Sequence, residues 1–198
     1  MFRTISCSTI LLGVSLAVAP AFAQEAGRSE ISVQAFGSFV KTTTDNGVQQ
    51  SATDSGGVLA NYRFFFSNGN GVEVNYGYSL NTQTYGLPSG PIGVKAHQDE
   101  LSAAYVYRHP LQHFTPFVEA GAGALIFDPT DAPGASTQTR AAFVYGGGAD
   151  FNVTKRVFLR AEYRGLVYNS PTFDLSETAG TDRVTHRAEP SVGFGYRF

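Results

Sequence analysis

The sequence predicts an all-β chain, an eight-stranded antiparallel up-and-down transmembrane β-barrel. Three observations carry this. Apolar and polar residues alternate with period two along most of the chain. Short turns and long polar connections also alternate. The polar faces of the strands hold Gly, Ser, Asn and a sparse, balanced set of charges, whereas the fully hydrated outer face of a soluble sheet would be richly charged. Composition agrees: 22 Gly, 16 Phe and 10 Tyr among 198 residues, with no Trp, favour strands over helices. Lys and Arg number 14 against 16 Asp and Glu, a net charge of -2, which excludes a strongly basic nucleic-acid surface.

The N-terminus is read as a targeting segment and kept out of the fold. Arg3 supplies a positive start, residues 10–18 an apolar stretch, and Ala21-Phe22-Ala23 a small-residue cleavage site. This divides the chain into a signal peptide, 1–23, and a barrel domain, 24–198. The single cysteine, Cys7, falls inside the signal, so the exported part can form no disulfide. No later segment reaches the roughly 18 uncharged apolar residues of a spanning helix. An exported chain of this kind belongs in the periplasm, outside the cell, or in an outer membrane crossed by strands.

The eight expected strands are taken in order. Strand one, 31–40, puts Ile31, Val33, Ala35 and Phe39 on one face. Strand two, 58–66, sets Val58, Ala60, Tyr62 and Phe64 against Asn61 and Arg63. Strand three, 72–80, alternates most cleanly, with Val72, Val74, Tyr76, Tyr78 and Leu80 against Glu73, Asn75, Gly77 and Ser79. Strand four, 99–108, opposes Leu101, Ala103, Tyr105 and Tyr107 to Glu100, Ser102 and Arg108. Strand five, 115–126, opposes Val118, Ala120, Ala122 and Ile126 to Glu119, Gly121 and Gly123. Strand six, 140–151, opposes Ala141, Phe143 and Tyr145 to Arg140, Gly146, Gly148 and Asp150. Strand seven, 157–168, opposes Leu159, Ala161 and Tyr163 to Arg160, Glu162 and Arg164. Strand eight, 186–198, opposes Val192, Phe194, Tyr196 and Phe198 to Arg187, Glu189, Ser191 and Arg197. Short turns are expected at 67–71, 109–114 and 152–156, and long loops at 41–57, 81–97, 127–139 and 169–185. Pro190 removes a ladder donor, so a bulge, or a regular strand starting only after it, is expected there.

In lipid every strand must be paired, so the sheet must close. An eight-stranded barrel has room inside only for side chains. The apolar faces then meet lipid, and Arg63, Glu73, Glu119, Arg160, Glu162, Arg164, Glu189 and Arg197 turn inward as a charge-paired plug. Pairing is required because an isolated buried charge costs several kcal/mol. Tyr and Phe near strand ends suit the interfacial girdles of such barrels. A soluble carrier of apolar ligands would need an apolar interior, which these charges oppose.

The chain ends Val192-Gly193-Phe194-Gly195-Tyr196-Arg197-Phe198. With the signal peptide and eight strands, this ending resembles the small bacterial outer-membrane β-barrels of the OmpA-like transmembrane-domain or OmpX type. The resemblance implies an interior Arg/Glu network. It also implies that Phe194, Tyr196 and Phe198 form a C-terminal signal read by the barrel assembly machinery. Expected partners are outer-membrane lipids and lipopolysaccharide; expected location is the outer membrane of a Gram-negative-type bacterium, with both mature termini periplasmic and the chain a monomer. Full-length OmpA carries a peptidoglycan-binding domain for which no counterpart is expected after Phe198.

Chemistry is weakly signalled. His97, His109, His113 and His186 are scattered, and His97 and Ser102 fall on opposite faces of strand four, which is poor geometry for a triad. Asp45, Asp54, Asp128, Asp131, Asp174 and Asp182 lie in connections without a calcium-loop pattern. Asn152-Val153-Thr154 matches a glycosylation pattern but sits in a tight turn. No cofactor, metal or catalytic residue is expected. The leading expectation is a non-enzymatic barrel with an envelope-integrity or surface-interaction role. A narrow porin-like channel and a lipid-A-modifying enzyme are the alternatives, sharing the same architecture.

Overall fold

Period-two alternation becomes strand in every expected place, and most strands run beyond their apolar stretch. The computed structural model describes residues 28–45, 47–174 and 183–198. The expected signal peptide and Asp182 lie outside the described residues. Ten strands form: β1 (Ser29–Val40), β2 (Thr43–Asp45), β3 (Val48–Ala52), β4 (Ser55–Phe65), β5 (Asn70–Leu87), β6 (Gly90–Arg108), β7 (Phe114–Pro129), β8 (Gln138–Asn152), β9 (Val157–Asn169) and β10 (Val184–Arg197). Among the described residues there is no helix.

Eight of these strands are staves of a closed antiparallel barrel. Around the ring they run β5-β4-β1-β10-β9-β8-β7-β6, and pairing of β6 with β5 completes the circle. The first and last staves meet, Ile31 opposite Tyr196 and Val33 opposite Phe194. Ser29 and Phe198 therefore lie beside each other, and the Phe198 amide donates to the Ser29 carbonyl at 3.0 Å. They share an end of the barrel with the three tight turns. One turn is closed by the Asn70 amide on Ser67 Oγ at 3.1 Å, another by the Val157 amide on Thr154 Oγ1 at 2.9 Å.

At the other end the long connections are more ordered than expected. Residues 81–97 are not a loop. β5 and β6 pair without a break from Asn70↔Tyr107 to Leu87↔Gly90, leaving Pro88 and Ser89 as the turn. Gly90, at φ 122, takes a backbone geometry that residues with a Cβ avoid. The expected loop 41–57 holds β2 and β3, a hairpin that docks on the far part of β5 through Gln49↔Gly86 and Ala52↔Gln83.

The sense of the alternation explains why these extensions read as loop. Through the middle of β5 the exposed side chains are apolar (Val72, Val74, Tyr76, Leu80) and the buried ones polar (Glu73, Asn75, Ser79). Beyond Leu80 the outer face turns polar, with Thr82, Thr84 and Lys95 facing out; inside, Asn81 and Gln83 are still buried, and apolar Tyr85, Val94 and Ala96 join them. A pattern tuned to apolar outer faces ends where the outer face meets water.

Pro190 also differs from expectation. β10 keeps one register with β9 from Val184↔Asn169 to Tyr196↔Val157, so there is neither a bulge nor a late start. On the β1 side the ladder skips between Phe36↔Ser191 and Phe39↔Ala188, then resumes in the same register. The proline costs local pairing on one side because it has no N–H to give.

Candidate functional site: the barrel interior

The largest fully buried side chains include four arginines, Arg63, Arg160, Arg164 and Arg187. Long cations are seldom buried without partners. Here the ladder supplies the first ones: Arg63 stands opposite Glu73, Arg160 opposite Asp150 and Arg164 opposite Glu189. Cross-strand neighbours share a face, so each register fixes an ion pair.

Further bonds reach across the lumen. The Arg63 Nε donates to Glu73, and its Nη2 reaches Glu119 at 3.1 Å and Glu162 at 3.4 Å, joining β4 to β5, β7 and β9. Its guanidinium lies 3.9 Å from the centre of the Phe117 ring. Arg160 holds Asp150 in a fork, Nε to Oδ1 at 2.6 Å and Nη2 to Oδ2 at 2.9 Å, and reaches Glu30 at 3.3 Å. Arg164 bonds Glu100, and lies 3.1 Å from Glu189 and 3.5 Å from Glu119. Arg187 bonds Glu100 at 3.0 Å and Glu189 at 2.7 Å. Nearer the turn end, Arg197 meets Glu30 at 2.8 Å and Asp150 at 3.4 Å, with 14% of its side chain exposed. Every stave contributes at least one charge.

The glycines of β8 make room for this. A Cβ on Gly146 would lie 2.6 Å from the Tyr163 carbonyl oxygen, 3.1 Å from Glu119 Oε1 and 3.3 Å from Arg164 Cγ. The space a side chain would fill is taken by the neighbouring backbone and by the network.

The structure therefore places Arg63, Glu73, Glu119, Arg160, Glu162, Arg164 and Glu189 in the sealed interior, and Arg197 at its turn-end rim. It adds Glu30, Glu100, Arg108, Asp150 and Arg187. Glu100, Arg108, Asp150 and Arg187 already fall on polar faces in the sequence; Glu30 was missed because the apolar alternation starts one residue later. The carboxylates of Glu73, Glu119 and Glu162 come within 4.8 Å of one another, the spacing of a cation site. Arg63 bonds all three, so an internal cation already meets their charge.

Above this charged storey the interior changes character. Tyr85, Val94, Leu125, Phe127, Val144, Leu166, Tyr168 and Phe173 form a buried apolar cluster. Residues 170–174 fold inward over it. The Pro171 carbonyl accepts from the Tyr85 hydroxyl at 2.6 Å and from Gln50 Nε2 at 2.8 Å. The Phe173 ring meets Phe127 edge-on with centroids 6.5 Å apart. Phe173 (φ 54) and Asp174 (φ 55) are the non-glycine residues in the left-handed region among the described residues. That geometry costs about 1–2 kcal/mol per residue, which the burial of Phe173 offsets.

Outside, Tyr hydroxyls mark two belts. Towards the loop end Tyr76 donates to Asp99 at 2.5 Å, Tyr78 pairs with His97, and Tyr145 with His186 at 3.0 Å. Towards the turn end Tyr62 pairs with Ser29 at 3.1 Å, Tyr105 with Asn70, and Tyr196 accepts from Arg156 at 3.0 Å. Between them the outer face is apolar, with Val192 64% and Phe194 63% exposed. Tyrosines with one wet end and one apolar end are interfacial residues.

A charged interior, an apolar outer band and two aromatic belts describe a barrel that lives in lipid. The model of a family described as "Outer membrane protein beta-barrel domain" matches residues 9–198. The chain belongs to that family. It is a Gram-negative outer-membrane β-barrel in contact with membrane lipids. Solved structures agree in fold. OprG of Pseudomonas aeruginosa superposes with a TM-score of 0.62 at 15% identity, over 87% of this chain and 96% of that one. Neisserial surface protein A gives 0.65 at 17% identity, over 88% and 100%. Ail of Yersinia pestis, crystallised with the heparin analogue sucrose octasulfate, gives 0.53 at 20%, over 88% and 100%. Among curated proteins no match is found.

The groups weighed for catalysis stay apart. His97 pairs outside with Tyr78, whereas Ser102 is buried inside, bonding Glu100 at 2.9 Å and Arg164 at 3.2 Å. The barrel wall separates base from hydroxyl, and the site assigns no chemistry to either.

Proposed function

We propose that this protein is a closed, non-enzymatic element of the outer membrane: a monomeric barrel that adds to envelope integrity and presents its β5–β6 hairpin and neighbouring loops at the cell surface. The observation that carries this reading is the network spanning the lumen. Arg63 on β4 reaches Glu162 on β9, and Arg164 on β9 reaches Glu100 on β6. These ion pairs tie opposite walls of the lumen together, and opening a path would expose buried charges now satisfied by one another. A porin-like passage is the competing reading, and planar-bilayer recording separates the two. The closed barrel gives no sustained conductance; stable open steps at modest voltage would overturn it.

The reading includes an orientation. The end holding the tight turns, Ser29 and Phe198 faces the periplasm, and the end holding the β5–β6 turn faces outward among lipopolysaccharide. Phe194 and Tyr196 on the outer face of β10, and Phe198 just after it, are exposed, which suits an edge read by the barrel assembly machinery before the staves close. On this view Phe198→Ala slows the appearance of the heat-modifiable folded form in cells while purified barrel melts at nearly the parent temperature. Unchanged assembly kinetics would remove that role from Phe198.

A further inference from the structure

The two ends of the barrel differ in charge. At the loop end exposed acids and bases mix: Asp54, Asp128 and Asp131 stand with Lys41 and Lys95. At the turn end the exposed basic side chains among the described residues are Arg28, His109, His113, Lys155 and Arg156. The acidic side chains there, Glu30 and Asp150, are each 1% exposed and held inside by Arg160 and Arg197. Among the described residues no exposed acidic side chain offsets this basic rim.

Two of the cations share one pinned turn, between β8 and β9. Thr154 Oγ1 accepts from the Arg156 amide at 3.2 Å and from the Val157 amide at 2.9 Å. The Arg156 carbonyl accepts from the Arg197 amide at 2.8 Å, which ties the turn to β10. The Arg156 guanidinium lies on the outer wall, where its Nη1 donates to the Tyr196 hydroxyl at 3.0 Å. That hydroxyl belongs to the turn-end belt, so the guanidinium sits at the height of lipid head groups. Lys155 is exposed and has no partner among the described residues. Exposed apolar side chains flank the pair: Phe151, Val153 and Phe198. The Phe198 ring stacks with Tyr196, centroids 6.4 Å apart.

We propose that this turn binds the phosphate of an anionic phospholipid in the leaflet at the turn end. Arg156 grips phosphate oxygens with the donors that Tyr196 does not take, and Lys155 adds a second positive charge. Tyr196, which accepts from Arg156, keeps its own O–H for the same phosphate. A soluble polyanion, such as a carboxylate-bearing cell-wall peptide, would use the cations alone. The apolar side chains beside them favour a lipid, whose acyl chains cover Phe151 and Val153 while its head group meets the charges. The site lies outside the lumen and does not depend on whether the barrel conducts. Nor does it depend on which side of the membrane the turn end faces.

The chain has no Trp, so single tryptophans report cleanly. Val153→Trp places one on the β8–β9 turn. Tyr105→Trp places one on the same belt at β6, beside Asn70, with β7 and β8 between it and β9. Each variant is reconstituted in vesicles of brominated phosphatidylglycerol mixed with phosphatidylcholine, and in the reverse mixture with the bromine on the neutral lipid. The ratio of quenching gives lipid preference at each position. The site predicts a preference for the anionic lipid of about fivefold at Val153→Trp, the order that one cation near an anionic surface supplies. It predicts none at Tyr105→Trp, and loss of the preference when Lys155→Gln and Arg156→Gln are added. If Val153→Trp does not assemble, Phe151→Trp reads the same turn from the end of β8. Equal preference at the two positions, or a preference unaffected by the glutamines, overturns the proposal. Abolition of the preference by millimolar inorganic phosphate or by soluble cell-wall peptides also overturns it, because the turn would then take a free anion and not a lipid.

Discussion

The two storeys of this barrel invert each other. Between the Tyr belts, Val72, Val74 and Leu101 face out and Glu73, Asn75 and Arg164 are buried. Beyond the loop-end belt, Thr82, Thr84 and Lys95 face out and Tyr85, Val94 and Phe173 are buried, with Asn81 and Gln83 buried at the changeover. One continuous hydrogen-bonded wall carries both arrangements. The difference teaches that the medium outside decides what the inside must be. In lipid the wall gains nothing by hiding apolar side chains, so the lumen is free to hold ions if every one is paired. In water the same sheet needs an apolar core, as any soluble sheet does.

The sharpest way to break the comparison is to remove one cation from the lower storey. Arg164→Ala leaves Glu100 and Glu189 buried with fewer partners, and is expected to cost about 3–5 kcal/mol. It should lower the unfolding temperature seen as the gel shift of the heat-modifiable form. Arg197→Ala, at the partly exposed rim, should cost about 1 kcal/mol or less by the same assay. Equal losses would mean that burial does not set the value of these pairs. In the upper storey, Leu166→Ala opens an apolar cavity and should cost about 2–4 kcal/mol locally. Hydrogen exchange should then quicken in the outer parts of β5 and β6, with a smaller change in gel-shift temperature than Arg164→Ala gives. A uniform loss across all staves would show that the storeys unfold as one.

The lower storey was legible in the sequence because charge on the inward face of an apolar-outward strand is a rare pattern. Arg160, Glu162 and Arg164 on one face of one strand were enough to suggest a filled lumen. The partners were less so: Arg63 to Glu162 is a contact across the barrel, and no local spacing encodes it. Glu30 was lost for a smaller reason, since it precedes the first outward apolar residue, Ile31. The upper storey was nearly invisible. Tyr85 and Val94 sit among Asn81, Thr82, Thr84 and Lys95, and the reversal of pattern at the water line imitates a polar loop. The inward fold of residues 170–174 was also hidden, because Phe173 is a single aromatic in a stretch otherwise read as connection.

The central claim is that the Val and Tyr faces of the staves touch lipid while the Glu and Arg faces turn inward. Spin labels placed one at a time at residues 72–79 of β5 test it directly, because the one native cysteine, Cys7, precedes the barrel domain. Collision with oxygen, which concentrates in the bilayer, is expected to peak at Val72, Val74, Tyr76 and Tyr78 and to fall at Glu73, Asn75, Gly77 and Ser79. A profile with its maxima on the second set, or with water-soluble nickel complexes reaching the Val and Tyr positions best, would contradict the account.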